Sequence, residues 1–219
     1  MRNNNMAGHM AAGVTALIWG TTFISTKLLL EYLTPVDILA IRFVIGYLAL
    51  WLVCPRWLKV QDRIFELLCL GAGISGVSLY FMMENVALTL TYASNVGVIV
   101  AVAPFFTALI SRYSSSQGER AGLSFFMGFL LALGGIALIS FTGSDAFGLN
   151  PLGDILALGA TILWAVYSNL MKRIASYGHD TFIVTRRVIF YGLVTLLPFL
   201  LVLGEPLDTT VLRQPQVLV

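Results

Sequence analysis

The sequence predicts an all-α integral membrane protein built as an inverted repeat of five-helix units. Three observations carry this. Apolar residues fill 58% of the 219 positions and charged residues only 11%, with a mean hydropathy of +0.88, outside the usual range of soluble domains of this size. The apolar residues gather into blocks long enough to cross a bilayer, which takes about 20 residues per helix. The chain also superposes on itself without gaps at a shift of 145 residues, and internal symmetry of this kind shapes many membrane architectures.

Seven spans are expected, over 10–30, 36–54, 64–84, 92–110, 122–140, 151–171 and 182–203, separated by short stretches with Pro, Gly, Ser or charge. Their continuous Leu- and Ala-rich character favours helices over the alternating polarity of a transmembrane barrel. The first block, with ALIWGTTFISTKLLLEYL, is long for a secretory leader and ends in Leu, Glu and Tyr rather than a small-residue cleavage site, so a retained span is expected. Pro104 is expected to bend the fourth span and free a carbonyl. The small residues of GAGISGVS (71–78) and GFLLALGG (128–135) are expected to let helices approach closely.

Charge placement orients the spans. The loop after the second span carries Arg56, Lys59 and Arg63, that after the fourth Arg112 and Arg120, and that after the sixth begins with Lys172 and Arg173; the loops after the first, third and fifth carry no Lys or Arg. By the positive-inside tendency the even loops and the amino terminus face the cytoplasm. A multi-pass protein of the cell membrane, in bacteria the inner membrane, is the expected location. Cys54 and Cys69 have neither metal-ligand spacing nor a disulfide framework, so no metal or cofactor is expected. The net charge of +2 does not imply nucleic acid.

The shift of 145 places Gly8 on Gly153, Trp19 on Trp164, Lys27 on Lys172, Tyr32 on Tyr177 and Arg42 on Arg187. Coincident Trp, Lys and Arg are far less easily matched in an oily sequence than Leu or Ala. Five spans separate the copies, an odd number, so the two units cross the membrane in opposite senses. The expected organisation is a cytoplasmic tail (1–9), a first repeat (10–140), an external connecting loop (141–150) and an incomplete second repeat (151–219). With two spans in the second copy, seven of an expected ten helices are present, and a complete chain is expected to continue for about three more spans.

Several stretches resemble the EamA-like family of the drug/metabolite transporter superfamily: ALIWGTTFISTK in the first span, DILAIRFVIGYLAL in the second, YFMMENVALTLTYASNVGVIVAVAPFFTALI across the third and fourth, GER at 118–120, and GFLLALGGIALI after it. The resemblance implies ten helices in two inverted halves around a central cavity, exporting amino acids or related metabolites. The chain departs from that pattern by lacking the last three helices.

Ionisable and polar residues inside spans are the candidate functional residues, because lipid makes them costly. Arg42 lies about 9 Å into its span at the helical rise, and Arg187 at a similar depth from the opposite face. Each either snorkels to headgroups or faces the interior and holds an anion. Arg186, without a repeat counterpart, reads as an interfacial charge. Lys27 either pairs locally with Glu31 or Asp37 or borders a cavity with the polar face Thr15, Trp19, Thr22 and Thr26. The sixth span repeats that face with Thr161, Trp164, Ser168 and Asn169. Trp19 and Trp164 fall mid-span rather than at the interfaces. Glu84 ends the third span, either as a solvated end charge or as a titrating group in a proton-coupled cycle. Asn95 must bond another helix or a substrate.

The candidate substrate-binding residues are thus Trp19, Thr22, Lys27, Arg42, Asn95, Trp164 and Arg187, with Glu84 for proton coupling. Neither His9 nor His179 lies within a span, and nucleophile, metal-ligand and phosphate-loop motifs are missing, so an enzyme is not expected. The expected function is a secondary transporter exporting amino acids or related metabolites by alternating access. Its partners are a zwitterionic or anionic small molecule, the lipid bilayer and, in a homodimer, a second copy. A multidrug exporter and a non-transporting fragment or accessory subunit are the alternatives.

Overall fold

The computed structural model describes residues 2–57, 62–114, 122–141 and 150–204. Among these the regular elements are all helical: α1 (Arg2–Leu29), α2 (Pro35–Val53), α3 (Arg63–Gly73), a π-helical stretch (Ile74–Leu79), α4 (Tyr80–Leu90), α5 (Ala93–Val100), α6 (Ala103–Ser114), α7 (Leu123–Phe141), α8 (Pro151–Ala175) and α9 (Thr181–Leu203). The fold is an all-α membrane protein. Six stretches are long and apolar enough to cross a bilayer: 8–29, 35–53, 63–90, 93–112, 151–175 and 181–203. α7 occupies the place of the expected fifth span. The external loop expected at 141–150 and the segment from 205 onward lie almost wholly outside the described residues.

Local chemistry sets the helix starts. Thr34 caps α2 with Pro35 in its first turn, and Asn150 caps α8 with Pro151 likewise; proline loses nothing there because its missing N–H would have no helical partner. Asp62 and Asp180 accept from the first amides of α3 and α9. At the centre of the fourth span α5 ends at Val100 and α6 begins at Ala103, with Pro104 in the first turn of α6. The carbonyl of Ile99 there takes the Val102 amide and the Thr161 hydroxyl instead of a regular helical partner.

The third span runs longer than expected. α3, the π-helical stretch and α4 are continuous over 63–90, so Glu84 stands inside the helix, not at its end. The difference arises because a charge is a poor marker of a span's end where the polypeptide beyond it, NVALTL, is again apolar.

α8 is the central helix, packing against α3, the π-helical stretch, α4, α5 and α6, while α9 packs against α2, α3 and the π-helical stretch. Phe65, Leu68 and Cys69 of α3 meet Ile174 of α8 and Val184 and Val188 of α9 in one core; Ala87, Leu88, Val96 and Ala157 form a second. Close approach rests on glycine. A Cβ on Gly73 would fall 2.7 Å from the Gly192 nitrogen and 2.8 Å from the Val188 oxygen, so α3 and α9 touch backbone to backbone. Gly128 and Gly134 differ: among the described residues a Cβ on either would meet nothing within 4 Å.

Candidate functional site

Two ends of the bundle are useful landmarks. The carboxyl-terminal ends of α1 and α4 and the start of α8 form the Lys27 end. The carboxyl-terminal ends of α6 and α8 and the start of α7 form the Lys172 end.

Between them lie two adjoining cavities. The larger, about 870 Å3, is lined towards the Lys172 end by Thr107, Ser111, Phe125, Ser168 and Lys172. The smaller, about 310 Å3, is lined by Thr22, Arg42, Phe43, Phe81 and Glu84. Trp19, Tyr80, Val100 and Trp164 border both, so an aromatic partition separates them. Trp19 and Trp164 meet edge to face at 5.1 Å between ring centroids, and Tyr80 lies 5.0 Å from Trp164, separations at which aromatic pairs attract. The volumes fall in the range of small-molecule pockets.

The smaller cavity is where the sequence candidates converge. Arg42 reaches from α2 to α1, where its Nη2 donates to the Thr26 hydroxyl at 2.9 Å; Thr26 is itself fully buried. Glu84, 2% exposed, approaches from α4. The two charges attract each other, yet no direct ion pair joins them among the described residues. Nη1 of Arg42 and Oε2 of Glu84 are both sealed from solvent with no hydrogen-bond partner. Thr22 returns its hydroxyl to the Ile18 carbonyl.

Lys27 and Asn95 stand apart, in a polar cluster closing the Lys27 end. The Lys27 ammonium donates to the carbonyls of Leu88 and Thr91, the last carbonyls of α4, whose partial negative charge suits a cation. It bonds these in preference to Glu31 or Asp37. The Thr91 hydroxyl donates to Asp154 at 3.2 Å and accepts from the Asn95 amide at 3.2 Å, so α1, α4, α5 and α8 are tied together. Asn95 is buried at 6% exposure and bonds within its own helical entry.

Arg187 lies beside a third cavity of about 220 Å3, with Tyr47, Trp51, Trp57, Arg186 and Phe190. Its guanidinium forms an ion pair with Glu66 at 2.5 Å and donates through Nε at 2.9 Å, and the Tyr191 hydroxyl donates to the same carboxylate at 2.5 Å. Arg186 departs from the expected interfacial charge: it is 5% exposed, donates to the carbonyls of Cys54 and Arg56 and lies 3.8 Å from the centre of the Trp51 ring. It caps the end of α2. Glu66 was missed by sequence reasoning and Arg186 misread because their partners lie more than a hundred residues away. Among the described residues no group of three or more His, Cys, Asp or Glu is placed to hold a metal.

The family model of the EamA-like transporter family matches residues 6–141. An uncharacterised transporter of Archaeoglobus fulgidus is 29% identical over 91% of this chain and 69% of its own length. A second from the same organism is 26% identical over 85% of this chain and 65% of its own length. The uncharacterised transporter YdfC of Bacillus subtilis is 28% identical over 86% of this chain and 60% of its own length. The chain thus spans about two thirds of the length of these relatives. One solved crystal structure, at 20% identity, superposes with a TM-score of 0.62 over 87% of this chain and 69% of its own; that likeness concerns the fold alone.

Proposed function

Because the chain belongs to the EamA-like transporter family, we propose that it works as a secondary transporter, exporting amino acids or related small metabolites by alternating access. The observation that carries this is the pair of cavities meeting at Trp19, Tyr80 and Trp164. The two tryptophans are superposed by the 145-residue shift and they touch. A residue and its repeat mate meet where they lie close to a two-fold axis, so the contact supports an inverted repeat with 10–140 as its first unit and 151–219 as part of its second. In such transporters the substrate site lies at the repeat interface near the midplane.

The Lys and Arg of the even loops assign the Lys172 end to the cytoplasm and put the amino terminus there too. On that assignment the larger cavity opens inward and the cluster of Lys27, Thr91, Asn95 and Asp154 closes the outer end. Lys27 then acts as a latch, not as a ligand, and export requires its bonds to α4 to be exchanged. Glu84 is the candidate proton carrier, being the buried carboxylate beside the partition. The same carboxylate favours a second reading, export of lipophilic cations, which a membrane-buried anion attracts.

Counterflow in vesicles made with the purified chain tests the first reading. Vesicles loaded with unlabelled leucine should accumulate labelled leucine, and Arg42→Ala should abolish this. Accumulation of tetraphenylphosphonium with no response to leucine would overturn it in favour of the second. Cysteines introduced before Trp19 and before Trp164 should react from opposite sides of the membrane; labelling from one side would end the inverted arrangement.

A further inference from the structure

Charged groups without partners are rare inside proteins, because each forfeits its hydration and gains nothing in return. The smaller cavity has two that are only partly satisfied, one of each sign: Arg42, whose Nη2 is held by Thr26 but whose Nη1 has no partner, and Glu84, whose carboxylate interacts with the Tyr80 hydroxyl but whose Oε2 has no partner. A third unpartnered atom, Oδ1 of Asn85, belongs to a residue that does not line this cavity; its amide group bonds the Pro35 carbonyl. Closing the gap between Arg42 and Glu84 would satisfy both in a single ion pair. They are instead held apart across the same space, Arg42 by its bond to Thr26 on α1 and Glu84 by its place on α4.

Resting on the transporter reading, we propose that Arg42 and Glu84 form a two-point site for a zwitterion, Arg42 receiving the carboxylate and Glu84 the ammonium of an amino acid whose apolar side chain lies against the aromatic wall. Charge bookkeeping decides among the substrate classes. A simple carboxylate would neutralise Arg42 and leave Glu84 a buried anion facing another. A lipophilic cation would do the converse, setting a second positive charge beside Arg42. A zwitterion satisfies both orphaned atoms and adds no net charge to a site where each uncompensated charge costs several kcal/mol, by the order of magnitude for buried ions. The remaining walls, Trp19, Phe43, Phe81 and Trp164, offer the rest of the ligand an apolar surface. Lys27 is excluded as the second cation because its ammonium is bound to the carbonyls of α4, and Arg187 lines a different cavity.

The test compares three ligands of one shape on the full 219-residue chain in lipid nanodiscs: leucine, 4-methylpentanoate, which lacks the ammonium, and 3-methylbutylamine, which lacks the carboxylate. Direct binding of each labelled compound is measured. Leucine should bind at least about tenfold more tightly than either analogue, the size expected when a buried polar partner is left unpaired. Glu84→Gln should reduce leucine to the level of 4-methylpentanoate while leaving that analogue's affinity no weaker. Arg42→Gln should reduce leucine to the level of 3-methylbutylamine. Glu84→Asp and Arg42→Lys keep the charges and should keep the order of the three ligands, which separates loss of recognition from loss of folding. Equal weakening of all three ligands in each glutamine variant, an unchanged preference for leucine, or a wild-type chain that binds no leucine would each overturn the two-point site. Leucine counterflow in the same preparation reads the transport function separately. Flux without the crossed pattern overturns the site alone, and the crossed pattern without flux overturns transport alone.

Discussion

Arg42 and Arg187 are superposed by the 145-residue shift of the sequence and have opposite surroundings. Arg187 meets Glu66 in a short ion pair that Tyr191 completes, and both charged side chains keep about a quarter of their surface in contact with solvent, 28% and 25%. Arg42 has one fixed partner, the neutral hydroxyl of Thr26, and an opposite charge that it does not touch. Superposition by a shift of the sequence therefore does not mean a shared task. A satisfied pair stabilises the junction of α3 and α9 without inviting a ligand, whereas separated, unsatisfied charges store binding capacity at a cost in stability.

The strongest way to break this comparison is to remove each guanidinium in turn. Arg42→Ala should reduce leucine flux by about 100-fold, the upper range for losing a hydrogen bond to a charged group, with a thermal midpoint close to that of the unaltered chain. Arg187→Ala should do the reverse, lowering the midpoint while flux per folded molecule stays within about twofold, since no step of the proposed cycle uses a lost bond of that size. Transport assays paired with thermal denaturation in detergent would show it. Equal loss of flux in both variants would mean that the two arginines act alike and that the contrast between them is idle.

Thr26→Val comes next in expected size. It keeps the volume and removes the hydroxyl that fixes Arg42. Affinity for leucine should fall by about fivefold, corresponding to one net hydrogen bond of about 1 kcal/mol, and the preference among the three ligands should weaken because the guanidinium is no longer held in place. A loss as large as that of Arg42→Ala would make the hydroxyl, not the cation, the essential group.

How far the sequence alone leads differs between these regions. Span positions were legible because crossing lipid demands uninterrupted apolar length, and helix starts because Thr-Pro and Asn-Pro carry their own capping chemistry. Arg42, Trp19, Thr22 and Trp164 could be named as candidates, together with Lys27, Asn95 and Arg187, since polar and aromatic groups within a span must face protein or cavity; Glu84 was named as a charge at the end of its span. What the sequence did not carry is partnership. Nothing local says that Lys27 bonds the end of α4 rather than Glu31, that Arg187 meets Glu66, or that Arg186 caps α2, because each depends on how helices distant in sequence are packed. Burial of Glu84 was missed for a different reason: the π-helical stretch and the apolar run after it carry the third span past the charge.

The pair at Arg187 offers the finer tests. Glu66→Gln keeps the shape and removes the charge; at this degree of exposure the loss should be about 1 kcal/mol, a fall of about 2–4 °C in the midpoint for a chain of this length. A cycle with Arg187→Ala isolates the coupling between them. Tyr191→Phe is the smallest change, removing one hydroxyl from a carboxylate that still has the guanidinium. It should cost less than Glu66→Gln, about 0.5 kcal/mol, and leave the ligand order untouched. The two residues stand on one face of α9 a turn apart, and both reach the same carboxylate. If the phenylalanine variant instead altered ligand preference at the distant cavity, Arg187 and Arg42 would be energetically linked through the bundle, and a division between a structural and a receptive arginine would no longer describe the molecule.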